Sequence, residues 1–187
     1  MPHQLKLQFE KMITITDAEF EYVLSHFSYK KLKKHQFLVQ IDDYVPNDFF
    51  VLKGLLKSYH LDENGKMYIV QFAMQDWWIT DYQAFYNQNK ATLHIDCLEE
   101  VEVLCLSLEN REKICSELHK MEHYFRKKSN MGYVLLQQRI LSFLSSNAKE
   151  RYETLLILQP DLFQRVSKSL IASYLGVSRE TLSRFAK

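Results

Sequence analysis

The periodicity of apolar residues changes at Ser107, and this change limits how the chain can fold more than any other feature. From Lys34 to Ser107, apolar and polar residues alternate in short runs between turn signals, which is typical of β-strands. After Ser107, apolar residues recur every three or four positions, which is typical of amphipathic helices. The chain is therefore predicted to be an α+β protein whose sheets and helices occupy separate segments.

The β-rich segment is predicted to contain several short antiparallel strands. The run FFVLKGLLKSYHLDENGKMYIVQF holds two strands around Asn64-Gly65, a dipeptide that favours a hairpin turn. The run ATLHIDCLEEVEVLCLSL holds two more strands on either side of an acidic turn. Strands of this length and spacing predict an antiparallel sandwich or barrel. Between the two runs, WWITDYQAFYNQN breaks the alternation and is expected to form a short helix or a loop.

Short helices are predicted on both sides of the β-rich segment. The stretch ITDAEFEYVLSHF has helical spacing, with Thr16 or Asp17 as its N-cap. Ser107, followed three residues later by Asn110, is a weak cap for a second short helix. Pro160 is expected to close a third helix near the end of SNAKERYETLLILQPDLFQRVS.

A long helix is expected from Lys120 to Leu144. Residues spaced three and four apart form a seam of the kind that packs two helices together: Met121, Tyr124, Lys128, Met131, Leu135 and Gln138. The seam is imperfect, because it contains a lysine and a glutamine and lies next to Gly132. It predicts a homodimer, and packing of the helix on its own domain is the alternative.

Composition and charge narrow the class of protein. The whole chain has a net charge of only +1, but residues 165–187 contain five basic residues and one acidic residue. This asymmetry favours a local contact with a polyanion. The sequence has no apolar run of about 18 residues and no secretion signal, so a cytoplasmic protein without a membrane segment is expected. Three cysteines without C-x-x-C spacing, Cys97, Cys105 and Cys115, fit a reducing compartment.

The stretch LIASYLGVSRETLSRF has the residue types that a DNA-binding helix-turn-helix requires. Such a unit needs a glycine in the turn, a small residue where the helices cross, and apolar residues that hold the helices together. Gly176 is the glycine of the turn, and Ala172 is the small residue where the two helices cross. The apolar positions are Ile171, Leu175, Val177, Leu182 and Phe185. Ser178 is expected to cap the second helix.

One side of that second helix is polar. At about 100° per residue, Arg179, Glu180, Ser183 and Arg184 lie on the side opposite the apolar positions. Arginine can donate two hydrogen bonds to guanine, and glutamate can accept one from cytosine. The helix is therefore expected to read G·C pairs in double-stranded DNA. The residues expected to contact bases or phosphates are Lys168, Ser169, Ser178, Arg179, Glu180, Ser183 and Arg184. An ordinary helical hairpin with a solvated charged face is the alternative.

This motif resembles a known family. IASYLGVSRETLSR resembles the helix-turn-helix of the Crp/Fnr transcription regulators, and its S-R-E-T-x-x-R run is close to that of the cyclic-AMP receptor members. The resemblance implies that Arg179, Glu180 and Arg184 contact bases. It also implies a β-roll (jelly roll) of cyclic-nucleotide-binding type over residues 1–117, a dimerisation helix over 118–144 and a DNA-binding domain over 145–187.

The resemblance carries expectations about partners as well. It implies a homodimer that binds a pseudopalindromic operator and meets RNA polymerase. DWWITDYQAF and RYETLLILQPDLFQRVSKSLIASYLG resemble a Bacteroidetes-type branch of the family. Members usually carry a two-stranded wing after the recognition helix, whereas this sequence stops at Lys187, so the wing is expected either to be absent or truncated or to be formed by residues beyond 187.

The effector pocket departs from the cyclic-nucleotide pattern. Family members hold the ligand phosphate with a Gly-Glu turn and an arginine followed by small residues; WWITDYQ and NKATLH stand at those places here. Cyclic-AMP binding is therefore not expected, and the effector is unidentified. A sensor that responds to a cyclic nucleotide or to another small ligand is the alternative. Lys90, Trp77, Trp78 and Tyr82 are the candidates for contacting an effector. Alternatively, Trp77, Trp78, Tyr82, Phe85 and Tyr86 fill the pocket or belong to the core.

Metal and enzyme chemistry are the remaining alternatives. Cys115, His119 and His123 are spaced four apart, as metal ligands on one helical face would be, but an iron–sulfur cluster needs four thiolates. No metal and no cofactor is expected. A cupin-like metal enzyme requires clustered histidines, whereas only His60 and His94 lie in predicted strands, so no enzymatic activity is expected. A sensor whose tail binds a protein partner is the third alternative.

Overall fold

The computed structural model describes residues 3–185. The helices in this range are α1 (His3–Glu10), α2 (Asp17–Leu24), α3 (Tyr82–Asn87), α4 (Leu108–Glu117), α5 (His119–Ser145), α6 (Ala148–Leu158), α7 (Pro160–Arg165), α8 (Lys168–Leu175) and α9 (Arg179–Phe185). The strands are β1 (Ser28–Leu32), β2 (Phe37–Val39), β3 (Asn47–Lys53), β4 (Leu56–Leu61), β5 (Met67–Ala73), β6 (Trp78–Ile79), β7 (His94–Cys97) and β8 (Val101–Ser107).

The chain forms two compact units. The first, the roll unit, contains the residues up to Tyr59 together with Gln71–Ser129. The second, the helical unit, contains His60–Val70 and the residues from Asn130 onwards. Helix α5 therefore contributes residues 119–129 to the roll unit and residues 130–145 to the helical unit. The domain limits predicted after residues 117 and 144 stay predictions.

The strands form two four-stranded sheets, as the strand pattern predicts. One sheet has the order β1-β8-β3-β6 and the other β2-β7-β4-β5. Strands β3 and β8 are antiparallel, with Phe49 opposite Cys105. The consecutive strands β7 and β8 lie in different sheets, so the chain crosses from one sheet to the other between them. The fold is thus the α+β fold with an antiparallel β-roll that the sequence indicates.

Strands β4 and β5 form the predicted hairpin, but its connection is longer than a two-residue turn. Residues 62–66 join the strands, and the Asp62 carboxylate accepts hydrogen bonds from the backbone N–H groups of Asn64 and Lys66, both at 2.9 Å. Gly65 has a φ of +75°. The Asp62 side chain therefore organises the turn, and glycine provides the left-handed position.

Strands β3 and β8 are buried on both faces. Phe49 and Val51 belong to the core between the sheets, together with residues of β2, β4 and β7. Phe50 and Leu52, which alternate with them, belong to a second core with residues of α1, α2, α4 and α5. Successive side chains of a strand point to opposite faces. The uninterrupted apolar runs of β3 and β8 therefore reflect cover by a sheet on one side and helices on the other.

Among the helices that cover this sheet, α2 was predicted from the sequence and α1 was not. Helix α2 has Thr16 as its N-cap, and Thr16 and Glu19 form a complete capping box. Helix α1 was not predicted, because only Leu5 and Phe9 of its eight residues are buried. Strand β1 begins at Ser28, ahead of the predicted β-rich segment, because four of its five side chains are exposed and give no alternation.

The beginning of α5 packs on the roll unit. Met121, Tyr124 and Phe125 are buried in the second core. Tyr124 accepts a hydrogen bond from Nε1 of Trp78 at 3.2 Å. The predicted seam therefore divides: Met121, Tyr124 and Lys128 contact their own domain, which was the alternative interpretation, whereas Met131 and Leu135 are exposed.

An ion cluster lies under the start of α5. Asp48 of β3 is fully buried, with Nζ of Lys128 at 2.5 Å and Nη1 of Arg111 at 3.8 Å from its Oδ2 atom. Arg111 also donates to the Tyr86 hydroxyl at 2.5 Å, and Lys128 lies 4.0 Å from the centre of the Trp78 ring. Burial lowers the pKa of Lys128 to about 8, although the nearby Asp48 opposes this shift.

A substitution at Gly54 is predicted to destabilise the roll unit. Gly54 has a φ of +95°, and a Cβ atom there would lie 2.3 Å from the carbonyl oxygen of Glu100. We expect Gly54→Ala to lower the free energy of unfolding by more than about 2 kcal/mol in urea denaturation. The control is Gly65→Ala, where φ is also positive but no atom lies within 4 Å. Equal losses for the two variants would contradict a steric cause.

The ion cluster predicts a pH dependence of stability. Because the pKa of Lys128 is about 8 in the folded protein and 10.5 without burial, the unfolded chain binds more protons between these values. The contribution of Lys128 to the free energy of unfolding therefore rises with pH across this window, by about 2 kcal/mol between pH 7.5 and 9.5. The free energy of unfolding is measured by urea denaturation at each pH for the wild type and for Lys128→Met. The difference between the two pH profiles gives the contribution of Lys128. Parallel pH profiles would show that Lys128 does not titrate in this range.

Candidate nucleic-acid interface

Helices α8 and α9 form the helix-turn-helix that the sequence predicts. Helix α8 ends at Gly176, whose φ of +69° is left-handed. A Cβ atom at this position would lie 3.2 Å from Cε1 of Phe143 in α5. The turn therefore requires glycine for its backbone conformation and for the space beside Phe143.

Helix α9 begins with the predicted serine cap. The Ser178 hydroxyl accepts a hydrogen bond from the backbone N–H of Thr181 at 3.1 Å. This satisfies one of the free N–H groups in the first turn of a seven-residue helix. The cap fixes where α9 starts and therefore which side chains share its outer side.

The apolar positions hold the two helices together. Ile171, Ala172, Leu175 and Leu182 are all buried, as predicted from the spacing. Val177 and Phe185 are partly buried, and the Phe185 ring lies 6.0 Å from that of Tyr152 in α6. One side of α9 is thus fixed against the helical unit.

The opposite side of α9 is exposed. Arg179, Glu180 and Arg184 are exposed, and Ser183 is partly buried. Within residues 3–185, no ion pair involves either arginine. The structure thus brings the four predicted base-contacting side chains to one helix, with both guanidinium groups open to solvent.

Glu180 is ionised at neutral pH. A backbone hydrogen bond from its own N–H, followed by one from the Ser178 hydroxyl, lowers the pKa of the Glu180 carboxyl, and Arg179 and Arg184 add to the effect. As a carboxylate it can only accept hydrogen bonds. It is therefore suited to a donor such as the amino group of cytosine.

Two of the residues predicted to contact bases or phosphates lie at the start of α8. Lys168 and Ser169 are exposed in its first turn, and the Ser167 hydroxyl caps the helix by accepting from the N–H of Leu170. A cation and a hydroxyl are thus presented beside a capped helix start, an arrangement that suits phosphate oxygens.

Two arginines that the sequence analysis missed hold the end of α8. Arg151 of α6 donates to the carbonyl of Leu175 at 3.1 Å, and Arg139 of α5 donates to that of Tyr174 at 3.3 Å. The Arg139 guanidinium also lies 4.0 Å from the centre of the Tyr174 ring and donates to Ile69 of the β4–β5 hairpin at 2.8 Å. Cations are favourable at a helix C-terminus. No local sequence signal marks these contacts, because the partners are far apart in the chain.

The candidate effector residues do not form one site. Trp78 and Tyr82 lie beside Lys128, whose Nζ atom is 4.0 Å and 5.5 Å from the respective ring centres. Trp77 packs on the core between the sheets, and Lys90 is exposed and paired with Tyr44 in an isolated bridge. Trp78 and Phe85 are buried core residues, and Tyr82 and Tyr86 stack on each other at 6.1 Å. Segment WWITDYQAFYNQN thus contains the short helix α3, the first of the two predicted possibilities.

The predicted alignment of Cys115, His119 and His123 is wrong. Cys115 lies in α4 and both histidines in α5, because the chain bends at Leu118, where φ is −127° and ψ is 92°. No group of three or more His, Cys, Asp or Glu side chains suited to a metal ion occurs in the described part of the chain. Burial raises the pKa of the Cys97 thiol to about 11 and that of the Cys115 thiol to about 12, so both stay protonated at neutral pH.

Comparison with protein families supports this architecture. Residues 29–117, which span β1 to α4, match the cyclic nucleotide-binding domain family. The transcriptional regulatory protein Btr of Bordetella pertussis is 24% identical over 166 residues, covering 82% of this chain and 67% of that protein. Among residues 3–185, no helix has the length and apolar character needed to cross a membrane.

Solved structures extend the similarity over most of the chain. FixK2 from Bradyrhizobium japonicum has a TM-score of 0.75 and 17% identity, covering 86% of this chain and 82% of that one. A transcriptional regulator of the Crp/Fnr family from Eubacterium rectale has a TM-score of 0.70 and 13% identity, covering 91% and 82%. These similarities show that the chain has the fold of these two structures, with a roll of cyclic nucleotide-binding type over residues 29–117.

Proposed function

We propose that the protein is a sequence-specific DNA-binding transcriptional regulator that acts as a homodimer and is not an enzyme. The observation that carries this proposal is α9: a capped helix, apolar on its inner side, whose outer side presents Arg179, Glu180 and Arg184 to solvent. A helix of this kind fits the major groove of B-DNA. The transcriptional regulators among its relatives support the same function, which implies a cytoplasmic location.

The roles of the individual residues follow from their chemistry. Arg179 and Arg184 donate to guanine, Glu180 accepts from cytosine, and Ser183 supplies a further hydrogen bond beside them. Lys168, Ser169 and Ser178 contact phosphate or fix the helix relative to the backbone. The operator is then a pseudopalindrome with G·C pairs in each half and half-site centres about 34 Å apart. Contact with RNA polymerase and the Bacteroidetes-type branch stay predictions.

The exposed second half of α5 supports the dimer. From residue 131 to 144 it exposes large apolar side chains on several sides, namely Met131, Tyr133, Val134, Leu135, Leu136, Ile140, Leu141, Phe143 and Leu144. A helix that is apolar all round is normally buried. We propose that the α5 helix of a second copy of the chain covers these apolar side chains. It packs on residues 131–144, because the earlier seam residues already contact their own domain.

Small-molecule control of the roll is the second candidate function. The aromatic pair Tyr82 and Tyr86 beside Arg111 favours it, since both rings are partly exposed next to a cation. A regulator of this kind would shift between DNA-binding and non-binding states with ligand. No observation favours a cupin-like enzyme: His60 is exposed, and His94 packs against Tyr59 at 5.2 Å between ring centres.

If Arg179 contacts bases, its removal weakens binding to the selected DNA site, and a lysine that keeps only the charge does not restore this affinity. After selection of bound sites from randomised DNA, we expect Arg179→Ala to weaken binding to the selected site by about 1–3 kcal/mol and to relax base preference. Arg179→Lys keeps the charge but not the planar pair of donors, so it should lose nearly as much. Fluorescence anisotropy on selected and random DNA measures both affinities.

The matched control is Lys168→Ala. A phosphate contact predicts equal weakening on selected and random DNA, with a smaller salt dependence. If Arg179→Ala behaves in the same way, the arginine does not read bases. If the wild-type protein selects no sequence, the helix-turn-helix is an ordinary helical hairpin.

The proposed dimer predicts a change of oligomeric state. We expect the double variant Leu135→Glu/Leu141→Glu to be monomeric in sedimentation velocity, because two charges would be buried in the interface. The double variant Thr154→Glu/Gln164→Glu carries the same change in charge at exposed positions outside α5 and should stay dimeric. A dimeric Leu135→Glu/Leu141→Glu variant would rule out this interface.

A further inference from the structure

The end of α8 is held partly by its own turn and partly by side chains of other helices. An α-helix leaves its last four carbonyl groups without partners inside the helix. In α8 the first two of these accept from the turn: the N–H of Val177 donates to Ala172 at 3.0 Å, and that of Gly176 donates to Ser173 at 3.4 Å. This is the Schellman arrangement, in which a left-handed residue ends the helix. The turn thus accounts for two of the four carbonyls.

The carbonyls of the last two residues of α8 accept from arginine side chains. Arg139 of α5 donates to Tyr174 at 3.3 Å, and Arg151 of α6 donates to Leu175 at 3.1 Å. Because a peptide group is planar, the Leu175 carbonyl and the N–H of Gly176 move as one unit. Arg151 therefore fixes the first peptide group of the turn that leads into α9.

Arg151 donates with both terminal nitrogens of its guanidinium group. Its Nη2 atom donates to Leu175, and its Nη1 atom donates at 2.7 Å to the carbonyl of Ser146, the residue that follows α5. One side chain thus joins the end of α5 to the end of α8, where a cation is favourable. The planar fork of arginine can reach two carbonyls at once, whereas lysine carries its donors on a single nitrogen.

The ring of Phe143 lies near both arginines and near the turn. Its centre is 5.5 Å from the guanidinium carbon of Arg139 and 5.0 Å from that of Arg151. A Cβ atom at Gly176 would lie 3.2 Å from its Cε1 atom. Aromatic rings attract cations that lie near their faces. Arg139, Phe143 and Arg151 therefore form one cluster beside the turn, the turn cluster.

The arginines of the turn cluster differ from those of α9. Arg179 and Arg184 are exposed, whereas Arg139 and Arg151 are partly buried and donate to carbonyl groups of their own chain. Within residues 3–185, no ion pair involves Arg139 or Arg151. Their donors are thus used inside the helical unit and are not presented to DNA.

We propose that Arg139 and Arg151 are positioning residues of the recognition helix α9. Through the carbonyls at the end of α8 they set the direction in which the chain leaves that helix, and therefore the direction of α9. They contact neither bases nor phosphates, but they determine whether Arg179, Glu180 and Arg184 reach their bases together. This inference rests on the proposed function as a sequence-specific regulator.

DNA binding by the full chain tests positioning against direct contact. The variants are Arg151→Ala and Arg151→Lys, and the control Lys149→Ala removes the same charge from an exposed position of the same helix. Fluorescence anisotropy gives the affinity for the selected site and for random DNA over a range of salt concentrations. The temperature is one at which circular dichroism shows every variant to be folded, so a loss of stability alone does not change the affinity.

We expect Arg151→Ala to bind the selected site about tenfold or more weakly than the wild type, a loss comparable to that of one base contact. Its salt dependence should equal that of the wild type, because no phosphate contact is lost. Arg151→Lys should recover only part of the affinity, since it keeps the charge but not the bridge to two carbonyls. Arg139→Ala should weaken binding to the selected site in the same way, and Lys149→Ala should not.

Three results would overturn the proposal. A smaller salt dependence in Arg151→Ala would show that this arginine contacts phosphate. Full affinity in Arg151→Lys would show that a charge at the end of α8 is sufficient. Equal affinities of Arg151→Ala and Lys149→Ala for the selected site would show that the turn does not depend on this side chain.

Hydrogen exchange distinguishes a failure of this inference from a failure of the proposed function. Mass spectrometry of the full chain without DNA measures exchange of the backbone N–H groups of residues 176–185. We expect faster exchange in Arg151→Ala than in the wild type and Lys149→Ala, because the turn has lost a side-chain donor. Unchanged exchange would contradict the positioning role. If exchange is faster but the wild type selects no DNA sequence, the proposed regulator is wrong and the role of Arg151 at the turn stands.

Discussion

The burial of both faces of β3 and β8 is the constraint on which the rest of the roll unit depends. One face meets the second sheet, so the other face needs cover from α1, α2, α4 and the start of α5. Asp48 lies on β3 beneath those helices, and its buried charge requires the cations of Arg111 and Lys128. The position of α5 in the roll unit is thus determined by apolar packing and by one charge that has to be neutralised.

The same constraint explains why α5 has two different parts. In its first turns, Met121, Tyr124 and Phe125 are buried in the second core of the roll unit. These side chains are therefore not available to a partner. The later turns of α5 have apolar side chains of similar size that are exposed. A periodic seam in the sequence does not distinguish these environments, because spacing describes one helix and not what lies against it. The seam therefore predicted correctly that this segment is a helix, but it did not show which of its residues contact their own domain.

The features that the sequence predicted well are those determined within a short stretch of chain. The glycine turn, the serine cap and the apolar positions of the helix-turn-helix all lie between Ile171 and Phe185, and spacing alone relates them. The pairing of β7 and β8 with strands in different sheets depends on distant partners and was not predicted. The bend at Leu118 contains neither glycine nor proline, so nothing local indicated that Cys115 and His119 belong to different helices. Arg139 and Arg151 act on distant backbone atoms, which a motif search does not detect.

Gly176 and Gly54 differ in what surrounds them, and this difference bears on how each position can vary during evolution. The space next to Gly176 is limited by a side chain, the ring of Phe143. A smaller residue at position 143 would therefore make room for a Cβ atom at position 176. The left-handed backbone conformation at 176 would then be the remaining restriction. We therefore expect positions 143 and 176 to change together in homologous chains. The space next to Gly54 is limited by the main chain at Glu100 and Val101. No second substitution removes a peptide group, so that position has no compensating partner.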